Sequence, residues 1–310
     1  MPDRILIVGP NPAWQRVMVF DRFSPGAVNR ASAVHFFASG KGINAARACR
    51  NWGKTGAAVV QFRGGDNGRG LLAYLRAEGI EHFDVRTFAA TRCCTTCVDA
   101  SGGMTELIEP CGAFTDGELG RFMARVHRLM TDADGIIVCG TAPGGRNEEF
   151  FSALAATLKG CRVPLLLDGF SGVESLLASG LVSALKINRQ ELETLAGTCG
   201  DPAEQLADVR EKYALPTAAV TDGPAAVFLA APGGMWSFEP PRLERVVNPL
   251  GSGDTCAAVF WSEMLAGTPP ETAMKRGLAA AAANCLSMIC GDFSRSAAEE
   301  LEARVAVRKI

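Results

Sequence analysis

The chain has 310 residues, 48% of them apolar and 21% charged, with a formal net charge of −2. That balance supports a large buried interior and excludes a mostly disordered chain; the near-neutral total argues against nucleic acid or an anionic membrane surface as partner. A small polar ligand fits better, and the length suits one α/β domain over 1–310 with a smaller β appendage.

The N-terminal MPDRILIVG has no long apolar leader core and runs straight into a β-branched strand at 5–8, ending at Gly9-Pro10. Short strands are predicted at 17–20 and 34–37, separated by a Ser-Pro-Gly turn at 24–26, and together they suggest a small β appendage. An Ala-rich helix from Ile43 stops at Gly53, and AAVVQF supplies the next strand. A helix at 71–78 stops at Gly79, alternation marks strands at 83–88 and 95–99, and Ser101-Gly102-Gly103 turns the chain into a hairpin partner at 104–108. Beyond residue 116 helices (116–130, 148–158, 173–178) alternate with strands (135–138, 163–167, 183–187), as repeated βα units on a parallel sheet do. Helices at 190–195 and 203–213, strands at 217–220 and 226–229, and Ala-rich helices from Asp254 complete the pattern. No apolar stretch is long and unbroken enough to span a bilayer.

The eleven cysteines mostly stand singly in apolar runs, as at Cys139, Cys256 and Cys285, which reads as buried thiols in the reducing cytoplasm. Cys93, Cys94 and Cys97 with Cys111 form a cluster that invites a metal, although it lacks the paired CxxC spacing of zinc sites.

Three stretches carry chemistry. In NPLGSGDTCAAVFW (248–261), Gly251, Ser252 and Gly253 permit a tight backbone ahead of a helix, offering N–H groups to a phosphate beside the carboxylate of Asp254. A carboxylate there can take a proton from an attacking hydroxyl, or simply cap the helix. In FFASGKGINAARACRNWG (36–53), Gly40, Lys41 and Asn44 gather backbone, ammonium and amide donors at a helix start, suited to a polyol, without Walker A spacing. In LKINRQELETLAG (185–197), Asn188 and Glu191 stand three apart across a helix start, facing metal-bound water and phosphate or merely closing a cap.

In this order, the three stretches resemble the PfkB family of carbohydrate kinases. The resemblance spans nearly the whole chain and implies the ribokinase-like α/β fold, a mostly parallel sheet flanked by helices with a small β-sheet lid at about 11–36 and 84–110. It implies ATP and Mg²⁺ as cofactors, Asp254 as base, and Lys186, Asn188 and Glu191 in phosphate and Mg²⁺ organisation. NPAWQR (11–16), PGAVNRA (25–31), KGINAAR (41–47), TELIEP (105–110) and GTAPGG (140–145) are similar to the branch holding 1-phosphofructokinases and tagatose-6-phosphate kinases. By that likeness Asn11, Gln15 and Arg92 belong to the sugar-phosphate side, Thr221, Asp222 and Gly223 to the nucleotide side with Asn284 near the adenine, and the lid implies a homodimer.

The chain also departs from the branch. Gln15 stands where an aspartate is usual, bringing one acceptor, two donors and no charge. Arg92-Cys93-Cys94-Thr95-Thr96-Cys97 replaces an RTNxK-like segment, so only its arginine remains, and Ser39 replaces a glycine. These changes leave an unphosphorylated sugar or a nucleoside as the alternative acceptor. A non-catalytic sugar-phosphate or nucleotide sensor is a third reading.

Overall fold

The computed structural model describes residues 4–100 and 103–310. In chain order the elements begin with β1 (Arg4–Val8), β2 (Ala13–Phe20), β3 (Ala33–Ser39), α1 (Lys41–Trp52), β4 (Gly56–Arg63), α2 (Gly65–Glu78) and β5 (Glu81–Arg86). Next come β6 (Arg92–Asp99), β7 (Met104–Ile108), α3 (Asp116–Leu129), β8 (Gly135–Cys139), α4 (Asn147–Thr157), β9 (Leu165–Asp168), α5 (Glu174–Ala178), β10 (Val182–Asn188), α6 (Arg189–Ala196) and α7 (Pro202–Lys212). The chain closes with β11 (Thr217–Thr221), β12 (Val227–Ala231), β13 (Gly234–Glu239), α8 (Ser252–Leu265), α9 (Pro270–Asn284), α10 (Arg295–Glu302) and β14 (Ala306–Lys309).

The main sheet runs β14-β13-β12-β11-β10-β9-β8-β1-β4-β5. From β11 to β5 every pairing is parallel, and the β12–β14 edge is antiparallel. Central strands are apolar along their length because both faces are covered. Ile5 and Ile7 join the core beneath α1, α8, α9 and α10, whereas Leu6 and Val8 join the one beneath α3 to α7. The smaller sheet, β3-β2-β6-β7, packs through Val17 and Phe37 onto Cys290, Met288 and Leu250.

Three local readings are corrected here. The strand expected at 83–88, partly within the lid segment at 84–110, is β5 of the main sheet, because α2 returns the chain parallel to β4. Helix α2 starts at Gly65, earlier than its apolar pattern suggests, since Gly65, Gly68 and Gly70 hide the helical signal. The antiparallel strands β13 and β14 were not legible; one is a short strand after the Pro232-Gly233 turn and the other is exposed throughout. Ser101 and Gly102 of the expected turn lie outside the described residues, while Asp99 and Gly103 flank it in a hydrogen-bonded pair.

Candidate active site

The ends of the parallel strands, where ligands collect in open α/β sheets, carry most of the residues singled out above. The loop from β13 reaches α8 through Gly251, whose φ of 77° is left-handed and open to glycine. A Cβ there would also lie 2.8 Å from Cys290 Cβ. Helix geometry leaves the N–H groups of Gly253 and Asp254 without intrahelical partners. Buried Lys186 approaches this terminus; a Cβ on Gly253 would sit 3.1 Å from its Nζ. Among the described residues the ammonium has no hydrogen bond or ion pair, so a cation and open donors converge where an anion is stabilised.

The buried Asp254 carboxylate accepts a hydrogen bond from Asn44 Nδ2 at 2.7 Å, which ties α8 to the first turn of α1. Ser39 Oγ donates to Asn44 Oδ1 at 3.1 Å and fixes the amide's orientation. One turn away, Lys41 Nζ donates to Asp168 Oδ1 at 2.9 Å and lies 3.3 Å from Glu191 Oε1. Thus the glycine–lysine turn and the α8 carboxylate share one cleft, despite more than two hundred residues between them in sequence.

Two buried carboxylates and the half-buried Lys41 set the electrostatics. Burial raises the Asp254 pKa to about 6, with Asp168 adding repulsion, while Lys41, the Asn44 bond and Lys186 hold it back. Burial pushes the Asp168 carboxyl up too, but Lys41 and Lys186 outweigh it and hold the group below its ordinary value. Lys41 moves upward against its own desolvation because Asp168, Glu191 and Asp254 surround it. Asp168 escaped the sequence reading, although a carboxylate closing the apolar run LLLD at a strand's C-terminal end was the available signal.

Asn188 and Glu191 form a reciprocal cap on α6: Asn188 Oδ1 accepts from Glu191 N, and Glu191 Oε2 accepts from Asn188 N, both at 2.9 Å. The capping alternative therefore holds locally, and Glu191's second oxygen faces Lys41. Thr221 lies beside Asn188 across the sheet. Asp222 Oδ2 stands 3.9 Å from Arg189 Nη1. Gly223 opens an apolar groove walled by Leu243, Val246, Ser252 and Cys285.

Asn284 is fully buried, donating to Leu250 O at 2.9 Å and accepting from Gly291 N at 2.6 Å, so its side chain braces the Gly251 loop. On the opposite side of the cleft, Asn11 and Arg92 line the same hollow as Lys41, Gly140 and Thr141. Gln15 does not line it. Its Nε2 donates to Thr96 Oγ1 at 2.8 Å inside the small sheet, a neutral pair that uses one of its donors.

The thiol cluster is divided. Residues on β6 alternate faces, so Cys94 points away from Cys93 and Cys97, and all three are buried and free. Among the described residues no three or more His, Cys, Asp or Glu side chains gather as a metal-binding group. No helix among them is long and apolar enough to cross a membrane.

Comparison with known proteins gives the family and the fold. The profile of the "pfkB family carbohydrate kinase" group matches residues 13–296. A 1-phosphofructokinase of Vibrio cholerae is 26% identical over 272 residues, 85% of this chain and 84% of the relative. A tagatose-6-phosphate kinase of Staphylococcus epidermidis is 24% identical over 312 residues, 99% of this chain and 100% of the relative. A mutant phosphofructokinase-2 from Escherichia coli superposes with a TM-score of 0.87 at 21% identity, covering 98% of this chain and 99% of that one, which shows the shared fold.

Proposed function

This chain belongs to the pfkB family of carbohydrate kinases, and on that premise we propose that it transfers the γ-phosphate of ATP to a hydroxyl of a ketohexose phosphate. The observation that carries the reading is the 2.7 Å bond joining Asn44 to Asp254 at the start of α8, beside Lys41, Asp168 and Lys186. Relatives named for fructose and tagatose phosphates, together with Arg92 in the cleft, support the acceptor class.

In this reading Asp254, ionised above about pH 6, accepts the proton of the acceptor hydroxyl as its oxygen bonds to the γ-phosphorus and the bond to ADP breaks. Asn44 orients the carboxylate. The N–H groups at Gly253 and Asp254, with Lys186, stabilise charge on the transferred group. The apolar groove at Gly223 and Val246 suits the flat face of the base. Mg²⁺ fits the donor set in kind, hard carboxylate oxygens from Asp168 and Glu191, which here bracket Lys41 Nζ at 2.9 and 3.3 Å. These two residues would hold the ion through water, and it would neutralise phosphate charge.

The small sheet serves as a lid that expels water, and its exposed Val34, Phe36 and Leu107 support a homodimer through it. Free cysteines suit the reducing cytoplasm. An unphosphorylated sugar is the second reading, favoured by the neutral Gln15–Thr96 pair. ATP consumption with fructose 1-phosphate, fructose 6-phosphate, tagatose 6-phosphate, free hexoses, ribose and nucleosides tests both. Turnover confined to free sugars or nucleosides would overturn the first reading, and no turnover with any of them would overturn kinase activity itself.

A further inference from the structure

The cleft continues beyond Arg92. A second hollow, where the two sheets meet, shares Asn11 and Arg92 with the first and is walled further by Arg63, Phe62, Thr87 and Thr91. Among the described residues no acidic side chain lines it. The threonine hydroxyls are engaged elsewhere: Thr91 Oγ1 accepts from Gly64 N at 3.1 Å, and Thr87 Oγ1 donates to Ala89 O at 2.8 Å. The charged side-chain donors that face the hollow are the two guanidinium groups, with the Asn11 amide beside them.

Both guanidinium groups are undercompensated. Arg92 has a buried Nε without a partner and makes no ion pair among the described residues. Arg63 Nε is likewise buried without a hydrogen bond, and its nearest carboxylate oxygen, Asp84 Oδ2, stands 3.6 Å away. That carboxylate is already committed, its Oδ1 to Gln61 Nε2 at 2.9 Å and its Oδ2 to His82 Nδ1 at 2.8 Å. Backbone packing holds the two arginines near one another. A Cβ on Gly64 would lie 1.9 Å from Ala89 O, so only glycine lets the 87–91 segment rest on the end of β4, and the hollow there is lined by both Arg63 and Arg92.

Two neighbouring cations over a wall without carboxylates form a site that is completed by an anion. We infer that Arg63 is a further specificity-determining residue, which with Arg92 and Asn11 clasps a phosphate carried by the acceptor at its end away from the reacting hydroxyl. This rests on the proposed function for the identity of the acceptor, though not for the anion site itself. Guanidinium forks match phosphate oxygens in pairs, and an acceptor lacking that phosphate leaves Arg92 unpaired and Arg63 with only its 3.6 Å contact to Asp84.

The test compares the full-length protein with its Arg63→Gln and Arg63→Lys variants. With the hexose phosphate that the panel shows to be turned over, Arg63→Gln should raise KM by about 10-fold or more, the scale of a lost charged hydrogen bond. Its kcat should stay within about threefold, Arg63→Lys should recover part of the loss, and KM for any free hexose turned over should not change. An unchanged KM for the phosphorylated acceptor in Arg63→Gln overturns the inference. A separate arm needs no turnover. With a non-hydrolysable ATP analogue filling the α8 end, inorganic phosphate should raise the melting temperature of the parent protein and not that of Arg63→Gln. Equal protection of both, or of neither, overturns the anion site even where every phosphorylated acceptor fails and the proposed function falls separately.

Discussion

Helix α8 carries two buried carboxylates whose surroundings drive them in opposite directions. Asp254, in its first turn, receives a hydrogen bond from Asn44 and sits near Asp168, and its pKa rises to about 6. Glu263, near the other end, is fully buried but takes bonds from Trp52 Nε1, Lys54, Thr268 and Arg276, and against the upward push of burial its pKa falls to about 2. The helix dipole alone would favour the reverse, a stabilised anion at the N-terminus and a disfavoured one at the C-terminus. Donor count and neighbouring charge outweigh it. One end of the helix is left electrostatically unsatisfied and the other is saturated, which separates a reactive group from a structural one.

The largest effect should come from breaking the saturated end. Glu263→Ala leaves Lys54 and Arg276 without their buried partner and should cost about 3–5 kcal/mol in chemical denaturation. The pH dependence has a defined sign. A carboxylate with a depressed folded pKa contributes stability above its unfolded value, so Glu263's share of about 3 kcal/mol should be lost as pH falls from about 4.5 to about 2. An acid titration of Glu263→Gln that follows the parent curve would break the contrast.

Asp254→Asn should cut kcat by at least about 10²-fold, equivalent to about 3 kcal/mol of barrier, while KM changes little. Near-normal turnover would remove Asp254 from the chemistry. In the parent enzyme, kcat/KM should fall about tenfold per pH unit below a limb near pH 6. Because the folded pKa is raised, the ionised group opposes folding above about pH 6, a cost that disappears below its ordinary value of 3.8. Asp254→Asn should therefore be more stable than the parent at pH 8 by about 1–2 kcal/mol, a difference that should vanish near pH 4. The smallest effect is at α6, where Asn188→Ala removes half of a capping box and should cost about 1 kcal/mol in thermal melting.

Much of this was legible in residue order. The alternation of strands and helices gave the parallel sheet, and Gly251 to Asp254, Lys41 with Asn44, and Lys186 to Glu191 marked the segments that line the cleft. The loop-tying bonds of Asn284 were not legible, because a polar residue in an Ala-rich helix reads the same whether it faces a groove or ties a loop. Asp168 was overlooked because it closes a strand with no motif around it. Arg63 was not singled out, since the sequence does not show that Gly64 lets another segment press against its backbone.

The sequence by itself determined most of the local backbone: where most helices start and stop, which central strands are doubly covered, and where glycine permits a turn, all set by neighbours within a few residues. Only the tertiary structure decided the charge state of each buried group. A carboxylate's pKa depends on donors and charges within a few ångströms, and those around Asp254 come from Asn44, Lys41, Asp168 and Lys186, which chain order scatters and the sheet gathers.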